Sequence, residues 1–128
     1  MRVLLDTHCF LWWRADHPNL PDEVRAAVAN DRNEVFVSAA VGWEVVIKRA
    51  LGKLDFDGTV AAAVAEEGFS TLSVALEHID EVAELPLLHR DPFDRLLAAQ
   101  ARVEGLVLAT VDPEILAYDG FDALPARR

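Results

Sequence analysis

The sequence holds a single cysteine, Cys9, so it can form neither an internal disulfide nor a thiolate metal site, and an apolar setting predicts that this thiol is simply buried. No apolar run approaches the roughly 20 residues that span a bilayer. The N-terminus passes from Arg2 to Asp6 without a signal-peptide core, which predicts a cytoplasmic protein without membrane association. Glycine and proline are sparse, six of each, and no repeat, linker or low-complexity tract interrupts the 128 residues. One domain over residues 1–128 is therefore expected. Also missing are a G-x-S-x-G elbow, a Walker loop, a G-x-G-x-x-G turn and any His-x-x-x-His or Cys-x-x-Cys pair. Serine-nucleophile hydrolysis, glycine-loop nucleotide binding and zinc-type ligation thus have no foothold.

Basic residues are scarce as well. Twelve Lys and Arg against 22 Asp and Glu leave a formal charge of −10, a surface that repels polyanions. A nucleic-acid ligand is compatible with that balance only if acids gather where bound cations reverse the local sign. The positions of the acids decide the matter.

Hydrophobic residues make up 52% of the chain, ample for one core, and they fall into short alternating strand and helix patterns. Arg2 to Leu5 reads as a strand that stops at Asp6, and Thr7 to Arg14 as a helix. Pro21-Asp22-Glu23 opens a second helix running to about Asn30. A strand follows at Glu34 to Val37, then Ser38 as the N-cap of a helix ended by Gly52. Asp57 to Glu67 reads as a small-residue helix, Phe69 to Leu72 as a strand, and Ser73 as the cap of a helix reaching Leu85, where Pro86 breaks it. Asp91-Pro92 starts a helix through Glu104 that Gly105 closes. Leu106 to Ala109 is a buried strand, Asp112-Pro113 a last helix start, and Phe121 to Leu124 an edge strand. Such alternation predicts an α/β fold with a mostly parallel sheet covered by helices on both faces.

In parallel sheets ligands bind at the carboxyl ends of the strands. Asp6 follows the first strand, Asp112 the strand at 106–109, Asp94 lies in the first turn of its helix, and Glu44 two turns into the helix after the second strand. Carboxylates ~4 Å apart repel by about 4 kcal/mol per pair at an effective dielectric near 20. Gathered in one crevice they need a cation, and hard oxygen donors favour Mg²⁺ or Mn²⁺. Such ions supply what phosphodiester hydrolysis requires without a nucleophilic side chain.

These residues also carry a resemblance. Leu4-Leu5-Asp6-Thr7-His8, Val37-Ser38-Ala39-Ala40 with Trp43-Glu44, and Lys48 through Gly52-Lys53-Leu54 resemble the opening half of VapC-type PIN-domain toxins. His89-Arg90-Asp91-Pro92-Phe93-Asp94-Arg95-Leu96-Leu97-Ala98-Ala99-Gln100-Ala101 and Leu108-Ala109-Thr110-Val111-Asp112 resemble its second half. The likeness covers almost the whole chain. It implies a five-stranded sheet of order 3-2-1-4-5, an Mg²⁺ or Mn²⁺ centre at Asp6, Glu44, Asp94 and Asp112, and endonucleolytic cleavage of RNA. It further implies a homodimer, assembling into a heterotetramer or larger with a cognate VapB-like antitoxin. Val41-Gly42 departs from the family pattern, which usually has a more polar pair there.

Several residues also have plainer readings. Asp6 and Asp112 suit helix caps, and Asp91 directly before Pro92 is read as a cap, whereas Asp94 at the third helical position is free to face the crevice. Glu44 suits an i,i+4 pair with Lys48 on a solvated face. Thr7, Ser38 and Thr110 are candidates for the crevice rim, Ser38 being first a cap. Arg90, Arg95 and Arg102 are candidates to steer a phosphate backbone. His8, His17, His78 and His89 share no helical spacing and read as surface or packing residues, and Trp12, Trp13 and Trp43 as core or interface.

Other functions fit less well. A receiver-type phosphoacceptor domain needs an Asp ending its middle strand and a late Lys, but the strand at 69–72 runs into Leu72-Ser73 and no Lys follows Lys53. A haloacid-dehalogenase-like phosphatase needs Asp-x-Asp after the first strand, and Asp6-Thr7-His8 lacks it. A non-catalytic binding module remains as the alternative of another class.

Overall fold

The computed structural model describes residues 1–127. Its elements run β1 (Arg2–Leu5), α1 (Thr7–Arg14), α2 (Asp22–Ala29), β2 (Glu34–Ser38), α3 (Ala39–Ala50), α4 (Val60–Glu66), β3 (Ser70–Leu72), α5 (Leu76–Glu84), α6 (Pro92–Glu104), β4 (Val107–Ala109), α7 (Pro113–Leu116) and β5 (Ala123–Leu124). Five strands form one sheet of order β3-β2-β1-β4-β5, every pair parallel. This is the α/β architecture and the strand order that the family likeness implied.

β1 lies in the middle. Val3, Leu4 and Leu5 have no solvent exposure, as expected where helices cover both faces of a parallel sheet. They pack with Phe10, Val41, Val45, Leu97, Ala98 and Leu108 in one continuous core. The chain steps outward from β1 through β2 to β3, then returns to the far side of β1 for β4 and β5. Strand order therefore reverses between β1 and β4, and the crevice of such a sheet opens beyond their carboxyl ends.

Two helix starts differ from the sequence reading. α4 begins at Val60 with Thr59 as cap, its hydroxyl accepting from Ala62 N at 3.1 Å, because Gly58 turns the chain at φ +75 just before it. α5 begins after Ala75 rather than at Ser73, and the ring of His78 takes the capping role by accepting from Ala75 N at 2.9 Å. Gly105 closes α6 in the left-handed region as read, at φ 65. Among the described residues no helix is long and apolar enough to cross a membrane.

Candidate active site

The corner between β1 and α1 is made by Asp6, whose extended backbone lets Oδ1 accept from Cys9 N at 2.8 Å. The side chain is buried. Burial pushes its carboxyl above the ordinary carboxylate range, against the hydrogen bonds from Thr110 and Cys9 that favour the anion. Thr110, fully buried one residue past β4, also accepts from Asp112 N at 3.1 Å. Asp112 caps α7 with Oδ1, bonded to Glu114 N at 2.8 Å, and turns Oδ2 to within 3.3 Å of His89 Nε2. Capping and a place in the crevice thus use different oxygens of one carboxylate.

Asp91 does what its position before Pro92 requires. Its Oδ1 accepts from Phe93 N at 2.8 Å and Asp94 N at 3.2 Å, capping α6. Asp94, one turn in, is free of that task, and its Oδ2 lies 2.8 Å from His89 Nε2. Burial first, and then the neighbouring charge of Asp91, push the Asp94 carboxyl up to about 7, and Glu44 adds to the repulsion. His89 has Glu114 Oε2 2.8 Å from its other nitrogen, so three carboxylates surround one imidazole. Burial works against its charged form, but Asp94 and Asp112 outweigh that and raise its pKa.

Glu44 hangs from α3 into the interior. Its Oε1 accepts from the Thr7 hydroxyl at 2.6 Å, and its Oε2 pairs with Lys48 Nζ at 2.6 Å. The i,i+4 pair read from the sequence exists, but it is not on a solvated face: the Glu44 side chain is 7% exposed and that of Lys48 40%. The Glu44 contact raises the Lys48 pKa. Gly42 has a packing reason, since a Cβ there would come within 3.3 Å of Val60 Cγ1 on α4.

His89, Asp94 and Asp112 bring their ligand atoms within 4.8 Å of one another. Asp6 and Glu44 fall outside that set, though each is buried at the same sheet ends and tied to it, Asp6 through Thr110 and Glu44 through its repulsion with Asp94. His89 is the group the sequence reading passed over. It sits five residues before Asp94 in the loop after α5, a spacing without helical meaning, and the signal for it was its place just upstream of Asp91-Pro92-Phe93-Asp94.

The remaining candidates are placed variously. Arg90 is exposed beside His89. The Arg95 guanidinium instead binds the carbonyls of Val82 (3.2 Å) and Leu85 (3.1 Å) at the end of α5, and Arg102 faces Glu81 at 3.5 Å, because α5 packs along α6 and covers the stripe that bears both. The Ser38 hydroxyl accepts from Ala40 N and donates to Gln100. Trp12 and Trp13 pack on the core, whereas Trp43 is 62% exposed. A groove of about 520 Å³ runs from Thr7 and Lys48 between Trp12, Lys53, Leu54 and Phe56.

A family model described as the PIN domain matches residues 3–120. No curated protein sequence matches significantly. Among solved structures, VapBC2 from Rickettsia felis bound to a promoter DNA fragment is similar at 16% identity, TM-score 0.70, over 96% of this chain and 97% of that one. VapBC-1 from nontypeable Haemophilus influenzae is similar at 18% identity, TM-score 0.62, over 91% of each chain. DNA-bound VapBC from Salmonella typhimurium is similar at 17% identity, TM-score 0.62, over 96% of each. At these identities the likeness is one of fold.

Proposed function

Because the chain belongs to the PIN domain family, we propose that it is a metal-dependent endoribonuclease, the toxin of a VapBC-type toxin-antitoxin pair acting in the cytoplasm. The observation that carries this reading is the meeting of His89, Asp94 and Asp112 within 4.8 Å where the strand order reverses, with Asp6 and Glu44 buried alongside. The similar fold of VapBC2 and the other VapBC structures supports the assignment to a toxin and to a cognate VapB-like antitoxin.

The donor set fits a divalent cation. Oxygen ligands dominate it, burial first and then the charges of Asp91 and Glu44 disfavour an unpaired Asp94 carboxylate, and His89 Nε2 already stands between Asp94 and Asp112 as a cation would. We assign Mg²⁺ or Mn²⁺ to Asp94, Asp112 and Asp6, with Glu44 as a further ligand or as the acceptor that orients the attacking water. When bound, such an ion lowers the pKa of water and offsets charge on the phosphoryl oxygens.

The chain's own residues would do the rest. Asp6 and Asp112, each pinned by a cap through one oxygen, would present the other oxygen with little freedom to lose. Thr7 and Thr110 would hold Glu44 and Asp6 in place, and Thr7, with Thr110 and Ser38 behind it, would form the rim. Lys48 would hold the Glu44 carboxylate through their ion pair and bring a cation to the RNA backbone, exposed Arg90 would offer a second one, and Arg95 is kept structural. Exposed apolar side chains on α3 and α5, among them Trp43, Val46, Leu76 and Ile79, would be covered in a homodimer, and assembly with the antitoxin would give a heterotetramer or larger.

The test is direct: incubate the purified protein and its Asp94→Asn variant with a pool of structured RNAs in Mn²⁺ or in EDTA. Cleavage by the parent in Mn²⁺ alone, lost by orders of magnitude in the variant, is expected. Equal cleavage by both proteins would refute the metal-centred reading.

A further inference from the structure

Away from the acidic centre a chain of buried polar groups crosses the helical layer. The Ser38 hydroxyl donates to Gln100 Oε1 at 2.6 Å while accepting from Ala40 N at 3.0 Å. The Gln100 amide nitrogen donates to the Ser73 carbonyl at 3.3 Å and reaches His78 Nδ1 at 3.4 Å. His78 Nδ1 also accepts from Ala75 N, so its proton sits on Nε2 and points to Glu104 Oε2 at 2.8 Å. A single amide orientation and a single tautomer satisfy every group, and Ser38, His78 and Gln100 are all buried, Gln100 completely. With Nδ1 engaged and Nε2 protonated, His78 offers no lone pair to a metal, so its nearness to Glu77 and Glu104 does not make a cation site.

A fully buried glutamine is costly unless wholly bonded, and an apolar side chain would fill the same space without that demand. What the amide provides is a fixed geometry. Ser38 heads α3 six residues before Glu44, and Gln100 lies on α6 six residues after Asp94. α3 packs against α6, and the 2.6 Å bond ties the head of one to the middle of the other. His78 on α5 and the Ser73 carbonyl stop the amide from turning over.

We propose that Gln100 is a positioning residue that, by binding Ser38, sets the separation of Glu44 from Asp94. This rests on the reading of those two acids as parts of the catalytic centre. Its action runs through two other side chains and needs no contact with RNA.

The experiment uses full-length Gln100→Leu, with Mn²⁺ affinity measured calorimetrically and RNA cleavage by steady-state kinetics. Mn²⁺ affinity should fall about tenfold and kcat ~10- to 100-fold, the usual cost of losing a group that holds a metal ligand in place, with KM for RNA nearly unchanged. In a Glu44→Gln background the same change should lower kcat no further, since the position being guarded is already void. Parent-like Mn²⁺ affinity, or a kcat loss that multiplies undiminished in that background, overturns the proposal. Should Gln100→Leu not give the parent circular dichroism spectrum, Ser38→Ala breaks the same bond from the other side and is judged by the same criteria. If the parent itself cleaves no RNA, the functional reading fails, while the Mn²⁺ comparison still decides whether Gln100 positions the acids.

Discussion

His89 Nε2 lies 2.8 Å from Asp94 Oδ2, in the gap that Asp94 shares with Asp112. Imidazole and a divalent ion would therefore compete for the same carboxylate oxygens. His89→Ala should bind Mn²⁺ several-fold more tightly than the parent at neutral pH, because the ion no longer displaces a partner. A weaker titration would show instead that the imidazole ligates the ion.

Asp94 is held at a cost to the fold. An acid whose native pKa stands near 7, above its unfolded value, loses stability as pH rises from the ordinary carboxylate range to that value, and none beyond it. Asp94→Asn escapes this loss. In EDTA its melting temperature should match or exceed the parent's at about pH 8, with the advantage shrinking toward about pH 5. A variant that melts well below the parent at both values would place Asp94 among the groups that stabilise the fold rather than strain it.

Cys9 gives a probe of the same corner. Burial, and then the charge of Asp6, push its thiol far above the ordinary range, so almost no thiolate forms while α1 stays docked. Iodoacetamide followed by mass spectrometry should find no adduct on the native protein over hours and complete modification in denaturant. Rapid native labelling would mean that the Asp6 corner opens readily.

Much of this was legible in the chain, and the physical reason is local. Asp91-Pro92, Asp112-Pro113 and Gly105 fix helix ends through their own backbone chemistry, and all three act in the structure as read. The parallel sheet followed from alternating short patterns around Val3-Leu4-Leu5, buried on both faces. What failed to show in sequence depends on contacts between distant segments. His89 gains meaning only when the loop after α5 brings it onto Asp94 and Asp112. Ser73 lost its capping role to His78 because that ring is also held by Gln100 from α6. Glu44 and Lys48 pair as i,i+4 spacing foretold, yet spacing alone cannot tell that Thr7 takes the other oxygen inside the protein.

Arg95 is the sharpest case of a charge whose task changed on folding. With Arg102, seven residues further along α6, it was a candidate to steer a phosphate backbone, but its guanidinium binds the carbonyls of Val82 and Leu85, where the last turn of α5 leaves acceptors without helical partners. The negative end of the α5 dipole favours a cation there. Arg95→Ala should therefore destabilise the protein, by about 1–3 kcal/mol for bonds from a charged donor, seen as a lower midpoint in urea. Its KM for RNA should stay at the parent value, because the side chain does not face the crevice. Arg90→Ala should do the reverse, leaving the urea midpoint unchanged and raising KM. If Arg95→Ala weakened RNA binding while unfolding like the parent, the guanidinium would have to leave α5 in solution, and the reading of Arg95 as a phosphate-steering residue would stand.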